Sequence, residues 1–84
     1  MTFSETWNKI LLNEGELFHT KTRKEFRYKI DGNNVVPDRT DYPLHISNFE
    51  KAYKMMPISG PGEISNDVRG SSYVWAILND KRIK

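Results

Sequence analysis

Along the chain the spacing of apolar side chains changes period repeatedly, and each change marks a new element. Phe3, Trp7, Ile10 and Leu11 recur at three- and four-residue intervals, the signature of one helix face, with Leu12 off the stripe. Thr2 and Glu5 stand ahead of it at capping-box spacing, and Gly15 follows where a helix closes in the left-handed conformation. The period then falls to two. In "EFRYKID" (25–31), Phe26, Tyr28 and Ile30 alternate with Glu25, Arg27, Lys29 and Asp31, the pattern of a strand with one wet face. "ELFHT" (16–20) pairs with it across the polar link "KTRK". "DGNN" (31–34) supplies a hairpin turn, because Gly32 and Asn33 tolerate positive φ, and "VVPDR" (35–39) runs back. Pro37 has no ladder donor, so this last strand is expected to be an edge or to bend there.

Helical spacing returns after "YPLHI" (42–46), which Pro43 keeps extended. Ser47 and Glu50 form a second capping box before "NFEKAYKMM" (48–56), whose stripe is Phe49, Ala52, Tyr53 and Met56, and Pro57 ends it. "ISGPGEISNDVRG" (58–70) reads as a turn-rich connector, and Ser71 or Ser72 is expected to cap a final helix through "SYVWAILNDKRI". On a wheel of about 100° per residue, Tyr73, Val74, Ile77 and Leu78 share one arc. Trp75 falls outside that arc, on the side of Asn79 and Arg82. It is expected either to lie under the connector or the first helix, or to stand open as an anchor for a partner.

These elements predict an α+β domain in the order α-β-β-β-α-α, a three-stranded antiparallel meander packed on one face by helices. The expected core is Phe3, Trp7, Ile10, Leu11, Phe26, Tyr28, Ile30, Phe49, Ala52, Tyr53, Met56, Val74, Ile77 and Leu78. Eighty-four residues suit one small globular domain over 1–84, burying roughly 60% of its unfolded surface. Two Trp, four Tyr and four Phe supply the bulk of such a core.

Composition narrows the chemistry. No apolar run approaches the ~18 residues of a membrane span, and "MTFSETWNK" lacks the basic start and apolar stretch of a secretory leader. A cytoplasmic protein with no membrane partner is the expectation. Without cysteine there is neither a disulfide framework nor a thiolate metal site. His19 and His45 stand apart in strand-like surroundings, so no metal and no cofactor is expected. Pro37-Asp38, with Glu25 and Lys29 upstream, has the parts of a metal-dependent nuclease motif in the wrong order. No serine sits in a nucleophile elbow. "SGPG" (59–62) and "RGSS" (69–72) match neither a Walker loop nor a dinucleotide fingerprint. A non-enzymatic protein follows.

Charge is nearly balanced, thirteen basic against eleven acidic residues, yet five of the basic ones fall within "KTRKEFRYK" (21–29). Lys21, Arg23, Lys24, Arg27 and Lys29, with Arg69 beside a helix start, form the candidate nucleic-acid-binding set. Trp75 and Arg82 form the candidate protein-interaction pair. The expected function is therefore a small binding module for a protein partner or, alternatively, for nucleic acid through the basic hairpin Lys21–Lys29. The helix–strands–helix order is also that of double-stranded RNA-binding domains. "SNFEKAYK" carries Lys51 and Lys54 where that family has a basic run, but Glu50 interrupts it.

Three stretches, "FHTKTRKEFRYKI", "HISNFEKAYKMMPISGPG" and "VRGSSYVWAILNDKRI", together resemble a small prokaryotic domain family of unassigned function, over about residues 17–83. The most particular parts are Phe26-x-Tyr28, Ser47 with Phe49, and Arg69-Gly70-x-Ser72-Tyr73. The resemblance implies a bacterial source and either a stand-alone small protein or a module near restriction-type or mobile-element genes. It carries no site residue, and it favours nucleic acid only by analogy.

Overall fold

The computed structural model describes residues 2–40 and 42–84. Helix α1 (Phe3–Leu12) starts as its sequence requires, with the Thr2 hydroxyl accepting the Glu5 N–H at 3.3 Å. Asn13 closes it, its side-chain amide donating to the Lys9 carbonyl at 2.8 Å, and Gly15 at φ +84° turns the chain toward the sheets.

Two small antiparallel sheets follow where one meander was expected. Strand β1 (Phe18–His19) pairs with β2 (Glu25–Phe26), placing Phe18 opposite Phe26. Strand β3 (Tyr28–Asp31) turns through Gly32 and Asn33 into β4 (Asn34–Pro37), and β5 (Leu44–His45) pairs with the first half of β4. The predicted single strand 25–31 is thus divided at Arg27. The Arg27 N–H donates to the Asp38 carboxylate at 3.1 Å and its carbonyl accepts the Asp38 N–H at 2.9 Å, on the β4 side. On the other edge, Phe26 pairs with β1 and the Tyr28 carbonyl accepts the Gly15 N–H at 3.0 Å. One extended run therefore serves two sheets through opposite edges. The segment 42–46, expected only to be extended, contributes β5, so β4 is a central strand over Asn34 and Val35 rather than an edge. Pro37 is tolerated because it lies beyond the end of β5, and Asp38 supplies the next donor to the neighbouring run.

Helix α2 (Ile46–Met55) begins two residues earlier than predicted. Its cap is His45, not Ser47: the imidazole Nδ1 accepts the Ser47 N–H at 3.2 Å. The strand passes straight into the helix, and the Ile46 N–H is held by the Asn33 carbonyl at 2.8 Å. A 3₁₀ turn (Pro61–Glu63) interrupts the connector. Helix α3 (Ser71–Leu78) is entered through Gly70 at φ +66° rather than through a serine cap. A Cβ at residue 70 would lie 2.5 Å from Leu44 Cδ2, so both the backbone conformation and the close approach require glycine.

Ile10, Phe26, Tyr28, Phe49, Ala52, Val74, Ile77 and Leu78 are buried, and Phe3, Trp7, Ile30 and Met56 pack half-buried against them. Leu11 departs from expectation, 37% exposed on the rim of α1. Phe18, Val35, Leu44, Ile58, Ile64, Val68, Ala76 and Ile83 complete the core. Three of those, Ile58, Ile64 and Val68, belong to the connector, which packs against α3. The aromatic rings join the layers: Phe18 meets Phe26 and Tyr28, Phe26 meets Tyr73 edge-on at 5.0 Å, and Trp7 meets Phe49. The Tyr28 hydroxyl donates to the Ile10 carbonyl at 2.5 Å, tying β3 to α1, and burial pushes this phenol well above its ordinary range.

Candidate functional site

The basic turn between β1 and β2 is organised by one nearly buried threonine. The Thr20 N–H donates to the Lys24 carbonyl at 3.0 Å, and its carbonyl accepts the Arg23 N–H at 2.9 Å. Its hydroxyl accepts the Lys24 N–H at 3.1 Å and pairs with the Thr22 hydroxyl at 3.2 Å. Closing the loop this tightly forces Arg23 to φ +67°. A hairpin loop of this kind ordinarily has glycine at the left-handed position. A side chain there costs about 1–2 kcal/mol. Among the described residues Arg23 is the one non-glycine with positive φ. The loop thus places an arginine side chain at a strained backbone position.

Trp75 comes from α3 and stands half-buried. Its indole N–H donates to the Ile58 carbonyl at 3.1 Å, so the connector supplies the cover that the helical wheel left undecided. Lys21 reaches across from the turn. Its ammonium donates to the Ser59 carbonyl at 3.2 Å and stands 6.0 Å from the centroid of the Trp75 ring. The lysine lies against Gly60, where a Cβ would meet Nζ at 2.6 Å. Exposed contacts of this type contribute about 0.5–1 kcal/mol, so the lysine is held loosely.

Between the turn and the end of α3 lies an open groove of about 370 Å³, lined by His19, Thr20, Lys21, Arg23, Trp75, Ala76, Asn79, Asp80 and Lys81. Its cations are Lys21, Arg23 and Lys81. The one carboxylate among its described lining residues, Asp80, is taken up by Arg82: Nε donates to Oδ1 at 2.9 Å and Nη2 to Oδ2 at 3.0 Å. The Arg82 side-chain hydrogen bonds hold the Asp80 carboxyl below the usual carboxylate range, and the same pairing raises Arg82 further. Glu25, nearby, faces His19 at 3.6 Å. Among the described residues, Arg23 and Lys81 have no carboxylate partner.

The remaining sequence candidates are distributed elsewhere. Lys24 is exposed at the foot of the turn. Arg27 and Lys29 share the wet face of the sheet and line a second groove of about 440 Å³ with Gly15, Val36, Asp38 and Thr40. The Arg27 guanidinium donates there to the Gly15 carbonyl at 2.8 Å. Arg69 stacks 4.1 Å above the Tyr42 ring, while its backbone N–H donates to Asn48. Arg82 has partners other than Trp75. Helix α3 ends at Leu78, so Arg82 leaves the helical wheel; it donates to the Leu17 carbonyl at 2.6 Å and stacks 4.1 Å above Phe18. It fastens the C-terminal segment to β1. The six basic candidates thus form no continuous stripe: Lys21 stands by the Trp75 ring, Arg23 lines the same groove, and Lys81, which sequence reasoning missed, lines it too.

The nuclease-like parts have structural work. Asp38 accepts the Arg27 N–H, and the Arg39 Nε donates to the Glu25 carbonyl. His45 is a helix cap. Among the described residues no group of three or more His, Cys, Asp or Glu is placed to hold a metal ion, and no helix is long and apolar enough to cross a membrane. No protein-family model matches the chain, and neither a curated protein nor a solved structure does.

Proposed function

We propose that this domain is a non-enzymatic binding module for the phosphate backbone of nucleic acid, engaged through the β1–β2 turn and the groove beside it. The observation that carries the reading is that Lys21, Arg23 and Lys81 line one groove with Trp75, where Arg82 neutralises the one acid among the described lining residues. Cations without carboxylate partners are ready to meet phosphates, and an aromatic floor beside them suits a strand better than a neutral ligand. The strained arginine at the tip supports it too, since strain of this kind collects at binding sites. A cytoplasmic setting agrees with the absence of cysteine. The alternative of a protein partner anchored on Trp75 and Arg82 draws less support, because Arg82 is already engaged by Asp80, the Leu17 carbonyl and the Phe18 ring.

Three phosphate contacts to a single strand give a log–log salt slope of about −2, at about 0.7 per contact. Anisotropy titrations of a labelled oligonucleotide between low and moderate salt measure it. The combined variant Lys21→Gln, Arg23→Gln, Lys81→Gln should lose most of the affinity, whereas Arg27→Gln with Lys29→Gln should retain most of it. Absence of binding at low salt, or equal behaviour of the two variants, refutes the reading.

A further inference from the structure

We infer that Trp75 and Lys21 form a subsite for one unpaired nucleobase, with Lys21 as a displaceable cover. The inference rests on the phosphate-binding reading of the same groove and goes further, to the kind of strand that fits. The Trp75 ring is fixed in orientation by its N–H bond to Ile58, yet it remains half-buried and contributes to the groove wall. A fixed aromatic plane is a pre-organised stacking platform. The Lys21 ammonium stands at 6.0 Å from the ring centroid, held by one exposed bond to the Ser59 carbonyl. Gly60 leaves room for that position because it has no side chain to crowd the lysine.

A base and a cation both favour the electron-rich face of an indole, so they compete for the same place. When a base takes it, Lys21 loses little, and its ammonium is released within reach of the phosphate that the base brings. Arg23 and Lys81, on the same groove, receive the flanking phosphates. The cavity of about 370 Å³ admits one nucleotide unit, at the lower end of the ~300–1,000 Å³ typical of small-ligand sites. A base inside a duplex is stacked on both faces and cannot enter. The larger groove on the wet face of the sheet has no comparable platform: Tyr28 borders it but is only 1% exposed.

The test compares three probes of equal phosphate content on the unmodified protein by anisotropy: oligothymidylate, an abasic oligomer and a blunt duplex. Oligothymidylate should bind about tenfold tighter than the abasic strand, the range expected for one stacked base, and tighter than the duplex. In a Trp7→Phe protein, where Trp75 is the sole tryptophan, oligothymidylate should quench the emission and the abasic strand should leave it unchanged. Equal affinities for oligothymidylate and the abasic strand overturn the subsite while leaving backbone binding intact. Failure of all three probes to bind overturns the backbone reading, and the subsite with it. Because the affinity ratio is read on the wild-type chain, the result stands even if Trp7→Phe does not fold.

Discussion

Replacing Arg23 with glycine should move stability and binding in opposite directions. Arg23 holds φ +67° in a turn whose hydrogen bonds all come from the backbone and from Thr20 and Thr22, so the turn does not need the arginine side chain to close. The left-handed conformation costs a non-glycine residue about 1–2 kcal/mol. A new glycine returns about 0.4–1 kcal/mol of that by loosening the unfolded chain. The net gain is about 0–1.6 kcal/mol, and its midpoint of about 0.8 kcal/mol corresponds to about 3–6 °C in Tm for a domain of this size. Thermal and urea unfolding followed by circular dichroism measure it. On the proposed phosphate-binding reading the same substitution would remove one contact, so the salt slope for a single strand should shrink by about 0.7. Arg23→Asn separates the two effects: asparagine tolerates the left-handed region better than arginine but lacks the charge, so it should lose the same affinity with a smaller rise in Tm. A Tm for Arg23→Gly below wild type would refute the reasoning, because it would mean that the arginine stabilises the turn by more than its backbone strain.

Two further outcomes test the frame around the groove. Gly70→Ala and Gly32→Ala impose nearly the same strain, at φ +66° and +62°, but only residue 70 meets Leu44 Cδ2 at 2.5 Å while residue 32 faces open space. Gly70→Ala should therefore lose about 1–3 kcal/mol more in urea unfolding, the usual cost of overpacking; equal losses would refute the Leu44–Gly70 contact. For Asp80→Asn the prediction is a pH dependence. The Arg82 hydrogen bonds lower the Asp80 carboxyl in the folded state, so its stabilisation is present above the unfolded carboxylate value of about 3.9 and disappears as pH falls toward the lower folded value. The stability gap between wild type and Asp80→Asn should be open at pH 7 and close below about pH 4. A gap constant across that window would exclude a role for the ionised pair.

Local patterns in the sequence were sufficient for several elements. Thr2 with Glu5 determined where α1 starts, Gly32-Asn33 determined the hairpin, and the stripe of Phe49 and Ala52 determined the inner face of α2. In each case the deciding interaction lies within four residues, so spacing alone records it. The alternation of Phe26, Tyr28 and Ile30 likewise determined which face of the extended run is dry. It could not determine which edge is paired with what, because backbone N–H and C=O groups have no sequence signature. Tertiary structure decided that Phe26 bonds to β1 and Arg27 to Asp38, and so divided one expected strand between two sheets. The isolated Ile58, Ile64 and Val68 have no period to read, and only folding brought them over α3 to fix Trp75. The candidate site belongs to that second class. Lys21 and Arg23 were visible as charge, and Trp75 as an aromatic outside its stripe. Their meeting with each other and with Lys81 depends on α3 stopping at Leu78 beside the β1–β2 turn. That is a long-range packing result, set by how apolar faces fill a common core rather than by any neighbouring residue.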